Sequence, residues 1–147
     1  DHIDQNGEKG TLCGDGLKLS YRHSAYYDNG CTITGVYFKL KKGNPDEIKS
    51  KMQDLMGRRK SKQPLEFASA GSTFKRPEGY FAGALIEECN LKGTTIGGAQ
   101  VSTKHAGFVI NTGGATCNDV LALCKQVSDT VYKEKGVRLE MEVRVTK

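Results

Sequence analysis

A short segment at residues 71–77 combines a hydroxyl group with two cationic side chains, on a stretch punctuated by glycine and proline. Ser72 is followed by Lys75 and Arg76, and we predict a loop here between two regular elements. A serine can deliver a proton to a reacting atom, and neighbouring cations can hold an anion. Because no Gly-x-Ser-x-Gly elbow surrounds Ser72, a hydrolase nucleophile is not indicated. The residue types leave two interpretations: a proton donor beside an anion site, or an ordinary turn serine.

Two further charged residues are candidates for chemistry, although their pattern is equally typical of a solvated surface. Residues 137–145 alternate in polarity, which predicts a final strand with Glu142 on its polar face. Arg22 is the last residue of another alternating stretch and suits the surface of a strand. Nothing in the spacing brings Arg22, Ser72 and Glu142 together, so only the fold can unite them.

A basic cluster at residues 58–62 includes Arg59 and Lys62 and ends a predicted helix. Cations are favoured at the carboxyl end of a helix, so a solvated basic face is one interpretation. Phosphate recognition is the other, since guanidinium and ammonium groups match phosphate in charge and geometry. The Gly-Gly pairs at residues 97–98 and 113–114 match neither Gly-x-Gly-x-x-Gly nor a phosphate-binding loop, so a glycine cradle for a nucleotide is not indicated.

The composition of the 147 residues is that of one soluble globular domain, with 37% hydrophobic and 27% charged residues. No apolar run is long enough to predict a membrane span. The net charge of +5 suits an anionic ligand or weak nucleic-acid binding. Five cysteines without a Cys-x-x-Cys pair predict free thiols in a reducing cytosol, and three scattered histidines predict no metal site.

The elements that must position these residues follow the order β-β-α-loop-α-β-β-α-β, an α+β domain. Strands are predicted at residues 17–22 and 31–40. A helix is predicted to begin at Asn44-Pro45, with a methionine-rich apolar stripe packed in the core. That stripe consists of Ile48, Met52, Leu55 and Met56.

The second half of the chain has clearer signals. A short helix is predicted at residues 82–89 and short strands within residues 91–111. Thr116 and Asp119 form a capping box at the start of a long helix. Its buried stripe is predicted to include Cys124, and Gly136 to end it.

Several motifs follow one another in order between residues 17 and 145. They are Tyr21-Arg22-His23-Ser24, Gly71-Ser72-Thr73-Phe74-Lys75-Arg76-Pro77, Leu91-Lys92-Gly93, Ile96-Gly97-Gly98-Ala99-Gln100-Val101-Ser102, Lys104-His105-Ala106-Gly107-Phe108, Ile110-Asn111 and Glu142-Val143-Arg144. In this order they resemble the UDP-N-acetylenolpyruvoylglucosamine reductases, a flavin-dependent family of cell-wall synthesis. The resemblance covers nearly the whole chain and is far more specific than any single short pattern.

The resemblance implies catalytic roles for three residues. Ser72 would give a proton to C2 of the substrate after hydride from the reduced flavin reaches C3. Arg22 and Glu142 would polarise the enolpyruvyl group and stabilise the enolate-like intermediate, since hydride addition beside a carboxylate builds negative charge.

The resemblance also implies substrate-binding positions. Lys62, just before Gln63-Pro64, matches a lysine near the UDP phosphates, with Arg59 beside it. Lys75, Arg76 and His105 lie in matching motifs and are expected to bind substrate. Arg76 departs from the family pattern, because many relatives have asparagine there.

The resemblance further implies that the flavin-binding domain, with its glycine-rich pyrophosphate loop, is missing upstream. Residues 1–41 would be a tail of that domain with linker and strands, and residues 42–147 the substrate-binding domain, from the shorter branch of the family. The complete enzyme would use FAD and NADPH in the cytoplasm to reduce UDP-N-acetylglucosamine enolpyruvate. Alone, the chain is expected to bind no flavin and to show no turnover.

Two other function classes are weighed against this one. A UDP-sugar binding module would leave Ser72 without a catalytic role. A small nucleic-acid binder would use the cluster at residues 58–62, but no aromatic residues are interleaved there. We therefore expect neither nucleic acid nor membrane as a partner.

Overall fold

The computed structural model describes residues 1–146 and divides the chain into two compact units, Asp1–Asn44 and a second unit that begins at Pro45. The described residues form two small antiparallel sheets and three α-helices. The predicted α+β class is confirmed. None of the helices in this part of the chain is long and apolar enough to cross a membrane.

The first unit is built on a sheet of three very short strands in the order β2-β1-β3. These are β1 (His2–Ile3), β2 (Lys9–Gly10) and β3 (Thr32–Ile33), and a 3-10 helix spans Gly14–Leu17. No residue among 1–44 is buried. This unit therefore relies on its hydrogen bonds and turns more than on a core.

Two predicted strands of the first unit are corrected by the structure. Residues 17–22 are not a strand, because Lys18 and Arg22 have left-handed backbones with φ of 46° and 55°, which interrupt any extended run. Within residues 31–40 only β3 is a strand, because β1 pairs with it over just two residues. Beyond it Tyr37 and Leu40 are each 83% exposed.

The second unit contains a four-stranded antiparallel sheet in the order β4-β7-β6-β5. Its strands are β4 (Ala68–Ser72), β5 (Thr95–Ile96), β6 (Ala99–Val101) and β7 (Phe108–Asn111). The helices are α1 (Pro45–Lys62), α2 (Ala82–Glu88) and α3 (Cys117–Lys135). α3 packs on β5 and β6, and α2 packs on α3.

α3 follows its sequence signals closely. Thr116 Oγ1 accepts a hydrogen bond from the Asp119 amide at 3.1 Å, and the Asp119 carboxylate accepts one from the Thr116 amide at 2.8 Å. Gly136 ends the helix with φ of 70°. The predicted buried stripe is confirmed, with Cys124 in it. Its residues are Leu123, Cys124, Val127 and Val131, which join Ile86 and Val101 in the core.

α1 forms where predicted, but its apolar stripe is not in the core. Ile48 is 48% exposed and Met52 65% exposed, and no residue of the helix is buried. An amphipathic pattern shows that a helix has a face suited to burial. It does not show that the same chain supplies the covering surface. The core prediction for this stripe is wrong.

The structure also corrects the predicted loop at Ser72 and the predicted final strand at residues 137–145. Ser72 ends strand β4 instead of lying in a loop. The predicted final strand is reduced to a short ladder, in which Met141 bridges Phe74 in antiparallel fashion. This ladder matters for the site, because it joins the end of the chain to β4.

Candidate functional site

Ser72 lies at an irregular point of the sheet. The register of β4 against β7 shifts between Ser69 and Ser72, and Ser72 then faces Phe108. Gly71, inside the irregularity, has φ of 85°, a conformation that glycine adopts without strain. A bulge of this kind bends a strand and changes the direction of a side chain, and Ser72 is exposed. The local backbone thus presents its hydroxyl at the sheet edge.

Thr73 connects this strand end to two other segments. Its amide donates to Gly107 O at 2.8 Å, and its Oγ1 accepts from the Val109 amide at 2.9 Å. Its carbonyl accepts from the Glu142 amide at 2.9 Å. The side chain is only 3% exposed. Sequence reasoning did not single out Thr73; the one available signal was a β-branched hydroxyl residue next to Ser72.

A short ladder of residues 140–142 on residues 73–75 places Glu142 opposite Thr73, the residue that follows Ser72. Besides the Glu142 amide bond to Thr73, the Lys75 amide donates to Glu140 O at 2.8 Å. Glu142 is half-buried, and its Oε2 is shielded from solvent. The structure therefore brings the segment that carries Glu142 to the strand end that carries Ser72, although the two are far apart in sequence.

The two cations after Ser72 are both held in place. Lys75 Nζ pairs with the Glu140 carboxylate. The Arg76 guanidinium lies 4.0 Å from the centroid of the Phe81 ring, and its Nε donates to Tyr80 O at 3.3 Å. Cation–π contact and a backbone acceptor restrict where Arg76 can point. The two side chains that follow Ser72 with a positive charge are thus both restrained by neighbouring groups.

His105 belongs to the turn between β6 and β7. Its Nδ1 accepts from the Gly107 amide at 3.1 Å, so the neutral ring carries its proton on Nε2. The ring meets Phe108 edge-on at 5.0 Å, and the His105 amide donates to Ser102 Oγ at 3.2 Å. Through its contacts with Gly107 and Phe108, this side chain shapes the turn just before the residue that pairs with Ser72.

The remaining predicted site residues lie on other elements. Arg59 and Lys62 are exposed at the carboxyl end of α1, and Arg59 Nε donates to Gln63 Oε1 at 3.0 Å. Arg22 lies in the first unit, where its guanidinium is 5.0 Å from the centroid of the Tyr21 ring.

A groove of about 530 Å³ runs beside the ladder, a volume within the range of ligand pockets. Its walls come from β4, β7, the start of α3 and the final residues, and they include Ala70, Thr73, Asn111, Cys117 and Arg144. Most of this lining is apolar.

A glycine-rich stretch before α3 does not fit a flavin pyrophosphate. Asn111 Oδ1 accepts from the amides of Gly113 and Ala115 at 2.8 and 3.2 Å. The first turn of α3 holds the Asp119 carboxylate, whose pKa is lowered by its hydrogen bonds to Thr116. Occupied amides and a carboxylate disfavour a second anion there.

Comparison with known proteins decides the family. The model for "UDP-N-acetylenolpyruvoylglucosamine reductase, C-terminal domain" matches residues 63–146, more than half of the chain. The chain belongs to this reductase family.

Individual relatives agree with the family model. The reductase of Clostridium novyi is 53% identical over 143 residues, which are 97% of this chain and 47% of that protein. The reductase of Agathobacter rectalis is 53% identical over 140 residues, 95% of this chain and 45% of that protein. The chain thus spans about half the length of these curated relatives.

A solved structure of the family supports the fold. The crystal structure of UDP-N-acetylenolpyruvylglucosamine reductase from Thermus caldophilus matches with a TM-score of 0.80 and 34% identity. The match covers 97% of this chain and 50% of that one.

Proposed function

We propose that this chain is the carboxyl-terminal, substrate-binding half of a UDP-N-acetylenolpyruvoylglucosamine reductase. The full-length reductase converts UDP-N-acetylglucosamine enolpyruvate to UDP-N-acetylmuramate, an oxidoreductase step of peptidoglycan synthesis in the cytoplasm. The observation that carries the proposal is the ladder in which the Glu142 amide bonds to the carbonyl of Thr73, the residue after Ser72. Family membership and the half-length coverage of the relatives support it.

Ser72 supplies the proton in the proposed reaction. After hydride has added at C3, its exposed hydroxyl delivers a proton to C2 of the enolpyruvyl group, so that the double bond becomes a saturated lactyl ether. Glu142 and Arg22 polarise the enolpyruvyl group. Arg22 also offsets the negative charge that develops beside the substrate carboxylate.

Substrate binding uses the cations around the site. Lys62 and Arg59 at the end of α1 bind the diphosphate, for which guanidinium and ammonium groups are suited. Lys75, Arg76 and His105 complete the binding surface near Ser72. Arg76 is already oriented by the Phe81 ring, so it loses little freedom when it binds an anion.

The hydride donor belongs to the full-length reductase and not to this chain. The stretch before α3 does not fit a flavin pyrophosphate, because the Gly113 and Ala115 amides already donate to Asn111 Oδ1. We assign FAD and NADPH to the full-length enzyme. We expect the isolated chain to bind no flavin and to show no turnover, and a yellow preparation that oxidises NADPH with substrate would contradict this.

Substitution of Ser72 in the full-length reductase tests the proposed chemistry. Ser72→Ala is expected to lower kcat by about 10²- to 10⁴-fold, with KM little changed, because the proton donor is lost while binding groups remain. Ser50→Ala, an exposed serine on α1, is the matched control. If Ser72→Ala weakens affinity and turnover survives, the chain is a UDP-sugar binding module instead.

Calorimetric titration of the isolated chain with UDP-N-acetylglucosamine enolpyruvate tests recognition. Binding that weakens with Lys62→Ala and not with Lys51→Ala, an exposed lysine of the same helix, supports the diphosphate assignment. A folded chain that does not bind would show that the substrate site needs the rest of the reductase.

A further inference from the structure

We propose that Thr73 is a positioning residue, whose buried hydroxyl fixes Ser72 relative to Glu142 for proton transfer. The inference rests on the proposed reductase function and adds a residue to its site. Thr73 does not act on the substrate itself. It acts through the backbone on either side of it.

Thr73 joins several segments of the chain. Its amide bonds to Gly107, just before β7, and its Oγ1 bonds to Val109 within β7, the strand that pairs with β4. Through its carbonyl it accepts from the Glu142 amide. One residue therefore links the strand end that carries Ser72 both to the sheet and to the segment that carries Glu142.

The backbone just before Thr73 is irregular. The register shift between Ser69 and Ser72 leaves part of β4 without regular ladder bonds, and Gly71 adds a flexible residue. With fewer ladder bonds and a glycine before it, the Ser72 backbone is less restrained than it would be in a regular strand. Thr73 is the first residue after the shift whose amide, carbonyl and side chain are all hydrogen-bonded.

The buried polar side chains cluster around the strand end that carries Ser72. Within residues 1–146, Thr73 and Ser102 are the buried polar side chains, 3% and 1% exposed. Ser102 Oγ accepts from the amides of Lys104 and His105 and so shapes the turn that presents Gly107 O to Thr73. Burying a hydroxyl costs free energy unless it is bonded, and both of these hydroxyls are used around the Ser72 strand end.

An ordinary core threonine would affect stability without a specific effect on proton transfer. The two roles separate in kinetics. Loss of positioning lowers kcat and leaves KM, because substrate binding does not depend on the exact direction of the Ser72 hydroxyl. A displacement of about 1 Å can cost roughly 100-fold in rate.

The test is a graded series at this position in the full-length reductase. Thr73→Val removes the acceptor at nearly constant volume, Thr73→Cys offers a weak acceptor, and Thr73→Ser keeps the hydroxyl but loses the methyl group. Thr95→Val is the matched control, because Thr95 is an exposed residue of β5 at the opposite edge of the same sheet. kcat, KM and thermal unfolding are measured for each.

We expect kcat to fall about 10-fold or more in Thr73→Val, with KM within about twofold. Thr73→Ser should stay near wild type and Thr73→Cys should lie between. If Thr73→Val does not fold, the Ser and Cys variants carry the comparison. The inference is overturned if kcat follows side-chain volume, if Thr73→Val matches Thr95→Val, or if KM rises in place of the fall in kcat.

Wild type and Ser72→Ala are assayed in parallel to separate the two proposals. If wild type does not reduce the substrate, or Ser72→Ala turns over normally, the proposed function fails and the inference falls with it. If both behave as expected and the Thr73 series is flat, only the positioning role is wrong.

Discussion

At the scale of single residues, the cysteines show how burial controls reactivity. Cys124 is 1% exposed in the core, and burial raises the pKa of its thiol from 9.0 to about 11. Cys117, at the start of α3, is exposed. Since the thiolate is the reactive form, both access and pKa protect Cys124.

We expect iodoacetamide at pH 8 to label Cys117 in the native chain and to leave Cys124 unlabelled, as measured by peptide mass spectrometry. Raising the pH to about 9.5 should still spare Cys124, because this remains below its raised pKa. The chain unfolded in guanidinium is the control and should label at both positions. Equal native rates at the two cysteines would contradict the burial of Cys124. The raised pKa also predicts a stabilising contribution that is complete below pH 9 and is lost as the pH rises through about 11.

The candidate site was only partly predictable from the sequence at this scale. Ser72 and Glu142 were found through their motifs. Thr73 was missed, because its role depends on burial between β7 and a segment near the end of the chain. The pairing of Lys75 with Glu140 was missed for the same reason, since 65 positions separate them in sequence. Which distant segments meet is decided by the fold.

At the scale of elements, α1 and α3 have similar lengths but opposite environments. α3 buries Leu123 completely, whereas Leu55 on α1 is 53% exposed. Both helices were predicted, because their start and end signals are local. α3 has a capping box and a terminal glycine, and α1 begins with Pro45. Only the burial of α1 was mispredicted, because the apolar pattern of a helix does not specify which surface covers it.

We expect the same substitution to have different costs on the two helices. Leu123→Ala should lower the free energy of unfolding by about 2–5 kcal/mol, because it leaves a cavity in the core. Leu55→Ala, the matched control, should change it by about 0.5 kcal/mol or less, as is usual for a surface position. Urea unfolding of the isolated chain followed by circular dichroism measures both. A cost for Leu55→Ala as large as that for Leu123→Ala would show that α1 is packed.

The strands were harder to predict than the helices for a physical reason. β4 has the sequence Ala-Ser-Ala-Gly-Ser, which lacks β-branched and aromatic residues. It is a strand because β7 pairs with it. Residues 17–22 had the alternating pattern of a strand but turn at Lys18 and Arg22. Pairing partners, and not local preference, decided both outcomes.

At the scale of the whole molecule, the core is confined to one of the two units. Every residue of the hydrophobic core cluster lies between Phe74 and Leu139. The first unit, Asp1–Asn44, has strands of two residues each and no buried residue. Sheets this small are marginal by themselves, because they bury little apolar area for the entropy lost on ordering.

This contrast predicts a difference in local stability, which amide hydrogen exchange followed by mass spectrometry can measure. The amides of β1–β3 should exchange through low-energy local opening, whereas those around Val127 in α3 should exchange only through global unfolding. Low concentrations of urea should therefore accelerate exchange in α3 much more than in β1, because global unfolding exposes far more surface. The chain in high urea supplies the unprotected reference rates. Equal protection and equal urea sensitivity in the two units would mean that residues 1–44 unfold together with the core. The predicted difference in local stability would then be wrong.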